Sequence, residues 1–395
     1  MYRGPQGTGV TAESLSSTGW SSKLVERWRT EVNTGFSSFC VADGKAFTLM
    51  TRDIEGNPTE TVVAFDAENG RELWAAPLTY VKYAGGGSSG ARGNDGGNGP
   101  MSTPSFAEGR LFVTDANIGL HALDANTGRT LWKRDIVKEH EGQKIKWDNA
   151  ASPLLEGNLV LLAGGGPGES LLAFRQQDGS LAWKSGDEKM THATPVAADI
   201  HGVRQVIFFL QSGLVSVDPS SGRELWRQEF PFKVSTAASP VVDGDIVYCS
   251  AGYGVGAGAY RISKNGNSFS SKEIWRTENE NINHWSTPVL YEGHLYGMFS
   301  FKKYGDGPLS CVDIKTGEMK WSEAGFGPGH VILADDKVLA LGDAGQLVLI
   351  DPNPRSYKEL ARKEVLDGKC WTTPVLSGGR IYVRSTTEGK CLEVR

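Results

Sequence analysis

Apolar and polar positions alternate along this chain in short runs, and the runs recur in a fixed order. The clearest unit is "ALDANTGRTLW", Ala122 to Trp132: apolar residues alternate along a strand, an acidic, glycine-bearing turn follows, and a tryptophan anchors the next strand. The same spacing returns at Ala64 to Trp74, Ala173 to Trp183, Ser216 to Trp226 and Cys311 to Trp321. A looser copy with an insertion runs from Tyr260 to Trp275, a degenerate one surrounds Asp351, and another is cut short at Cys391 to Arg395. Ahead of the copies lies a second alternating stretch, such as "STPSFAEGRLFV" from Ser102 or "ASPVVDGDIVYC" from Ala238. Together they predict strand, tight turn, strand, loop, strand, turn, strand, at a period of roughly 43 to 58 residues. That is the size of one four-stranded propeller blade.

Each position in the phrase has a mechanical reading. Asp66, Asp124, Asp218 and Asp313 can accept turn amide hydrogens, and Gly70, Gly128, Gly222 and Gly317 suit positive φ. The tryptophan is the anchor between blades, where burying roughly 200 Å² of aromatic surface contributes on the order of 5 kcal/mol at most. Six tryptophans close six blades, the Asp351 copy makes a seventh, and Trp371 to Arg395 supplies three strands of another. The missing fourth strand is "KLVERWRTEV", whose Trp28 takes the anchor position. The expectation is therefore an all-β, eight-bladed propeller spanning residues 24–395, with antiparallel four-stranded blades, an N-terminal strand closing the last, and residues 1–23 as an arm.

Composition narrows the partners. The 395 residues carry 41 basic and 46 acidic side chains, net −5, and no basic block exceeds Lys302-Lys303, which argues against nucleic acid and a polybasic membrane patch. No apolar run approaches the roughly 18 residues that span a bilayer. The start "MYRGPQGTGV" lacks the charge-then-apolar order of a secretion signal, so the chain is expected to be a soluble, mature form. Five cysteines without C-x-x-C spacing read as buried thiols, with room for one disulfide.

The pattern A-x-D-x-x-T-G-x-x-x-W resembles the tryptophan-docking repeat of the pyrroloquinoline quinone (PQQ) propellers, and the resemblance covers nearly the whole chain. "YRGPQGTGV" and "GKCWTTPVLSGGRIYVR" are similar to stretches of secreted or periplasmic PQQ-like propellers. The resemblance implies a periplasmic or secreted setting. It admits both enzymes, which hold PQQ with calcium, and non-enzymatic relatives such as the propeller lipoprotein of the outer-membrane barrel-assembly machinery. This chain lacks the adjacent cysteines typical of the quinoprotein alcohol dehydrogenases and the C-x-x-C-H of a haem attachment. The favoured reading is thus a monomeric binding or scaffold propeller for a small polar ligand, glycan or protein partner. A PQQ-dependent alcohol or sugar oxidoreductase and a metal-dependent carbohydrate-active enzyme are the alternatives.

Turns inside the phrase share one face of a propeller, so the irregular loops fall on the other. The glycine-rich stretch from Val81 to Ser102 lacks a following Lys-Ser/Thr and a helix, which argues against a mononucleotide loop; it reads as a flexible or tightly folded surface loop, from which Arg92, Asn94 and Asp95 could fold over the channel as a lid. Residues just before the inner strands converge on the channel mouth: Trp147, Asp148, Asn149, His192, His284, Trp285, His330 and Trp371. With Arg92 these form the candidate ligand site, tryptophan faces stacking on a sugar or quinone ring and Lys144, Lys146 or Arg92 meeting anionic groups. Asp148 is the candidate base and His192 or His284 the acid partner. His192, His284 and His330 with Asp148 are the candidate metal ligands. The competing reading is a hydrated channel mouth with no ligand. His121, His140, His201 and His294 read as turn or strand residues.

Overall fold

A computed structural model describes residues 1–15, 24–83, 99–233, 236–299 and 307–394. They form eight sheets arranged in chain order, each with four antiparallel strands and one, blade 7, with a short fifth strand added from the N-terminal arm. Blade 1 covers residues 40–80, blade 2 105–135, blade 3 154–185, blade 4 196–229, blade 5 241–277, blade 6 289–323 and blade 7 330–364. Blade 8 combines residues 375–394 with the strand Leu24–Glu31, which pairs antiparallel with Glu388–Val394 and sets Trp28 opposite Cys391. The ring is therefore closed by the leading segment, and Trp28 is buried.

The recurring phrase is a docking device. Asp124 Oδ1 accepts the backbone N–H groups of Asn126 and Thr127, which fixes the turn and lets Gly128 adopt φ +73°. The indole of the preceding blade lies on that glycine: a Cβ there would come within 2.5 Å of Trp74. Trp74 Nε1 then donates to the Ala125 carbonyl at 3.2 Å. Trp28, Trp132, Trp183, Trp275 and Trp321 donate in the same way to Ala67, Gln176, Pro219, Ile314 and Asn353 of the next blade. A one-residue register shift beside the anchor position recurs in every outer strand.

Two departures follow from the same rule. Blade 5 replaces the docking turn with the long hairpin Gly256–Asn265 and Ser268–Thr277, and Trp226 accordingly donates to Gln205 Oε1 of its own blade at 2.6 Å. In blade 8 the turn position is where Leu24 meets Val394, so no turn exists to receive an indole. Blade 7 carries Ala361 at its anchor position, opposite Leu349, and Leu15 and Leu24 share the apolar cluster that fills this seam.

A Ser or Thr ahead of seven of the eight inner strands, followed by Pro in six, links neighbouring blades near the axis. Thr373 N–H donates to Ser38 Oγ, Ser38 N–H to Thr103 Oγ1, Thr103 N–H to Ser152 Oγ and Ser152 N–H to Thr194 Oγ1, at 2.8–3.0 Å. Ser239 N–H donates likewise to Thr287 Oγ1 at 2.9 Å. Each such bond contributes roughly 0.5–1.5 kcal/mol and ties one blade to the next. In blade 7 the hydroxyl position is His330, whose Nδ1 lies 3.4 Å from Thr373 Oγ1.

Residues 1–15 lie along the channel end remote from these loops. Val10 and Thr11 pair in parallel with Leu333 and Ala334 on the inner strand of blade 7. Arg3 is buried, and its guanidinium donates to the carbonyls of Thr287 (2.6 Å), Pro288 (2.8 Å) and Thr8 (3.0 Å). Burial pulls its pKa down to about 10. All five cysteines are buried and free, so no disulfide forms.

Candidate functional site

The residue two places before each inner-ring hydroxyl points to the channel mouth. Reading the eight blades gives Phe36, Met101, Ala150, His192, Ala237, Trp285, Pro328 and Trp371, and all except Pro328 line one well. Trp147, Tyr253, His284 and His330 complete its wall, and Tyr2 of the arm reaches it from the other side. Its cavity volume is about 110 Å³, less than the roughly 150 Å³ of an apolar cavity that accepts benzene, so a ring seated there would protrude from the mouth.

A chain of ring contacts runs along this wall from Phe36 to His192. Phe36 and Trp371 centroids are 5.1 Å apart, Trp371 and Trp285 4.8 Å, Trp285 and His284 5.0 Å, and His284 and Tyr253 4.7 Å. Tyr253 then stacks on Trp147 at 6.0 Å and 11°, and Trp147 meets His192 at 6.4 Å. Trp285 Nε1 donates to the Pro328 carbonyl, and Trp371 Nε1 to Asp343, which fixes both indole planes. Trp147, Asp148 and Tyr253 hold φ of +73°, +63° and +57°. Bulky residues in that region cost roughly 1–3 kcal/mol each and persist where the surroundings impose them, commonly at functional sites.

The histidines are neutral. Burial lowers His192 to about 4, partly offset by its bond to the Lys146 carbonyl; Nε2 donates to that carbonyl at 3.1 Å. Burial and then the nearby His192 lower His284 to about 3, and burial followed by Arg3 lowers His330 to about 3. Among the described residues no group of three or more His, Cys, Asp or Glu is placed to hold a metal ion, although the three histidines share the well.

Asp148 and Asn149 do not line the well. The chain reverses at Trp147 and Asp148, and Asn149 is used up internally: its N–H donates to the Ala116 carbonyl, and its side chain bonds Asp115 and Ala151. The Asp148 carboxyl is raised by burial, opposed by Lys144. Deeper on the same side, buried Glu60 accepts from Tyr83 Oη at 2.7 Å and Ala116 N–H at 2.9 Å. Burial first, then Asp115 and Asp148, push its pKa up to about 8. Arg92, Asn94 and Asp95 lie outside the described residues. His121, His140, His201 and His294 have structural partners: Asp115, Glu169, and the carbonyls of Ile262 and Glu292. Sequence reasoning missed Phe36, Met101 and Tyr253; the first two occupy the register position that flags His192, Trp285 and Trp371.

PQQ with calcium would make specific demands on this lining. Calcium asks for several oxygen ligands, carboxylates above all, and an acidic quinone for cationic partners. The described lining contains neither Asp, Glu, Lys nor Arg. These residues do not fit that pair.

Eight blades, five of whose seams seat an indole on a turn glycine, with loops gathered at one mouth, define a PQQ-like repeat propeller. The comparisons agree. The chain belongs to the PQQ_2 family, described as outer membrane protein assembly factor BamB, whose model matches residues 58–323. It is 24% identical over 287 residues to the tetrathionate hydrolase of Acidithiobacillus ferrooxidans, covering 70% of this chain and 49% of that protein. It thus spans about half the length of that relative. Among solved structures, BamB from Moraxella catarrhalis superposes with TM-score 0.62 at 14% identity, over 94% of this chain and 97% of that one. The quinohemoprotein alcohol dehydrogenase from Comamonas testosteroni gives 0.65 at 12% identity, over 98% and 79%. Both likenesses show the fold.

Proposed function

We propose that this chain is a monomeric binding propeller of the periplasm or cell exterior, whose aromatic well captures a ring-bearing polar ligand, a glycan ring foremost. One observation carries the reading: a chain of ring contacts from Phe36 to His192, built from loops of different blades, along a cavity of about 110 Å³ with no charged side chain in its described lining. Sugar faces stack on such surfaces, and neutral imidazoles can bond hydroxyls without repelling them. Acid–base catalysis finds less support, because Asp148 lies off the well and the histidines remain neutral far below physiological pH. The extracytoplasmic setting rests on the family description as outer membrane protein assembly factor. No helix among the described residues is long and apolar enough to cross a membrane.

The test is a titration of tryptophan fluorescence with neutral oligosaccharides, read beside calorimetry. Saturable quenching that Trp285→Ala removes supports the reading. A flat titration across glucose-, galactose- and mannose-type oligomers would overturn it.

A further inference from the structure

A second depression shares the stacked wall of the well. It lies between the loops of blades 3 and 4, has a volume of about 520 Å³, and takes Trp147 and Tyr253 as its inner side. That volume falls within the range of dedicated ligand sites, roughly 300–1,000 Å³. The outer side carries Lys144, Lys146, Lys189 and Lys233 against Asp187 and Glu188. Both acids are engaged: Glu188 pairs with Arg227 at 3.0 Å, and Asp187 accepts the Gly168 N–H. Lys146 sits over the Trp147 ring at 4.8 Å, and Lys189 and Lys233 are exposed. A basic groove on a protein of net charge −5 is a local inversion of the overall field, and it attracts anions.

We propose that this groove binds an acidic oligosaccharide, a chain of sugar rings bearing carboxylates, one ring seated in the aromatic well and the following ones along the lysines. The inference rests on the glycan reading of the well and extends it to charge. The Trp147 and Tyr253 rings, stacked on each other, give the groove an apolar wall for sugar C–H groups, while Gln143 and Gln211 suit hydroxyls. Lysines supply point charges that a flexible row of carboxylates can meet without bidentate geometry. A peptide would favour an open strand edge for added backbone pairing, and this groove is walled by loop residues. Trp147 and Tyr253, both held at positive φ, form the shared wall, so the strained positions coincide with the junction of the two sites.

The experiment titrates the full chain with a galacturonate hexamer, a glucose hexamer and a hexaglutamate peptide, at low salt and at roughly 0.3 M salt, by calorimetry and tryptophan fluorescence. The galacturonate hexamer is expected to bind best and to weaken with salt. Lys189→Gln with Lys233→Gln should weaken it about tenfold while leaving the glucose hexamer unchanged, and the matching Lys→Arg pair should restore it. Equal affinity in the lysine-to-glutamine variant, or hexaglutamate binding as tightly as galacturonate, overturns the groove assignment. If the glucose hexamer still quenches fluorescence in that case, the reading of the well stands. If no sugar perturbs the tryptophans, both fall.

Discussion

Gly179 and Trp132 offer a direct measurement of how blades are clasped. Gly179 sits at φ +68°, and a Cβ built on it would lie 2.6 Å from the Trp132 ring. Gly179→Ala therefore meets two penalties: about 1–2 kcal/mol for a side chain in the left-handed region, and about 1–3 kcal/mol for overpacking against the indole. Trp132→Ala empties a site that is 9% exposed and leaves the Gln176 carbonyl without its indole donor, at about 3–5 kcal/mol. In the double variant the overlap disappears, because the ring that caused it is gone, while the backbone penalty remains. The two changes should thus couple by about 1–3 kcal/mol, the double variant being more stable than the sum predicts. Urea unfolding of wild type, both singles and the double, with midpoints converted through a common slope, measures this. Additivity within about 0.5 kcal/mol would refute the clasp.

Other consequences are equally open to measurement. Glu60 has a folded pKa of about 8, above its unfolded value, so its contribution is fully present below the unfolded pKa and is lost as pH rises through about 8. Glu60→Gln should flatten this loss, and thermal scans at pH 5 and pH 9 that respond identically in both proteins would contradict it. The three mouth histidines have depressed folded values near 4 and 3, so they subtract stability as pH falls below about 6.5; His192→Gln should reduce that loss between pH 6.5 and 4. Trp28→Ala should destabilise by about 3–5 kcal/mol, comparable to Trp132→Ala, because both anchor a blade seam; an effect below 1 kcal/mol by chemical denaturation would refute a seam of equal strength. Ala361→Trp should destabilise rather than stabilise, since the following blade offers no turn to receive the ring; a raised melting temperature would overturn that account.

The frame was legible because its logic is local. An aspartate, a glycine and a tryptophan at fixed spacing specify a turn, its φ and its neighbour, and each copy repeats the message. The exceptions at Trp226 and Ala361 follow the same rule once the receiving turn is known to be missing. The mouth was legible in part: His192, His284, Trp285 and Trp371 precede inner strands, and strand order brings them together. Asp148 and Asn149 precede one too, yet two consecutive residues at positive φ redirect the chain there, and single-sequence patterning carries no signal for that. Arg3 was illegible for a different reason. Its partners at Thr287 and Pro288 are more than 280 residues away, and only the closed ring brings them near.

The pairing of Leu24 with Val394 has a consequence for how the molecule comes into being. The strand written among the first residues has nothing to join until nearly all the others have been placed, so its contacts span almost the full length of the chain. Contacts of such sequence separation form slowly, although closure entropy grows only logarithmically with loop length, so this junction is expected to be made late in folding. Until then two sheet borders stand unpaired, and the unfinished ring is most open to capture by another copy of itself.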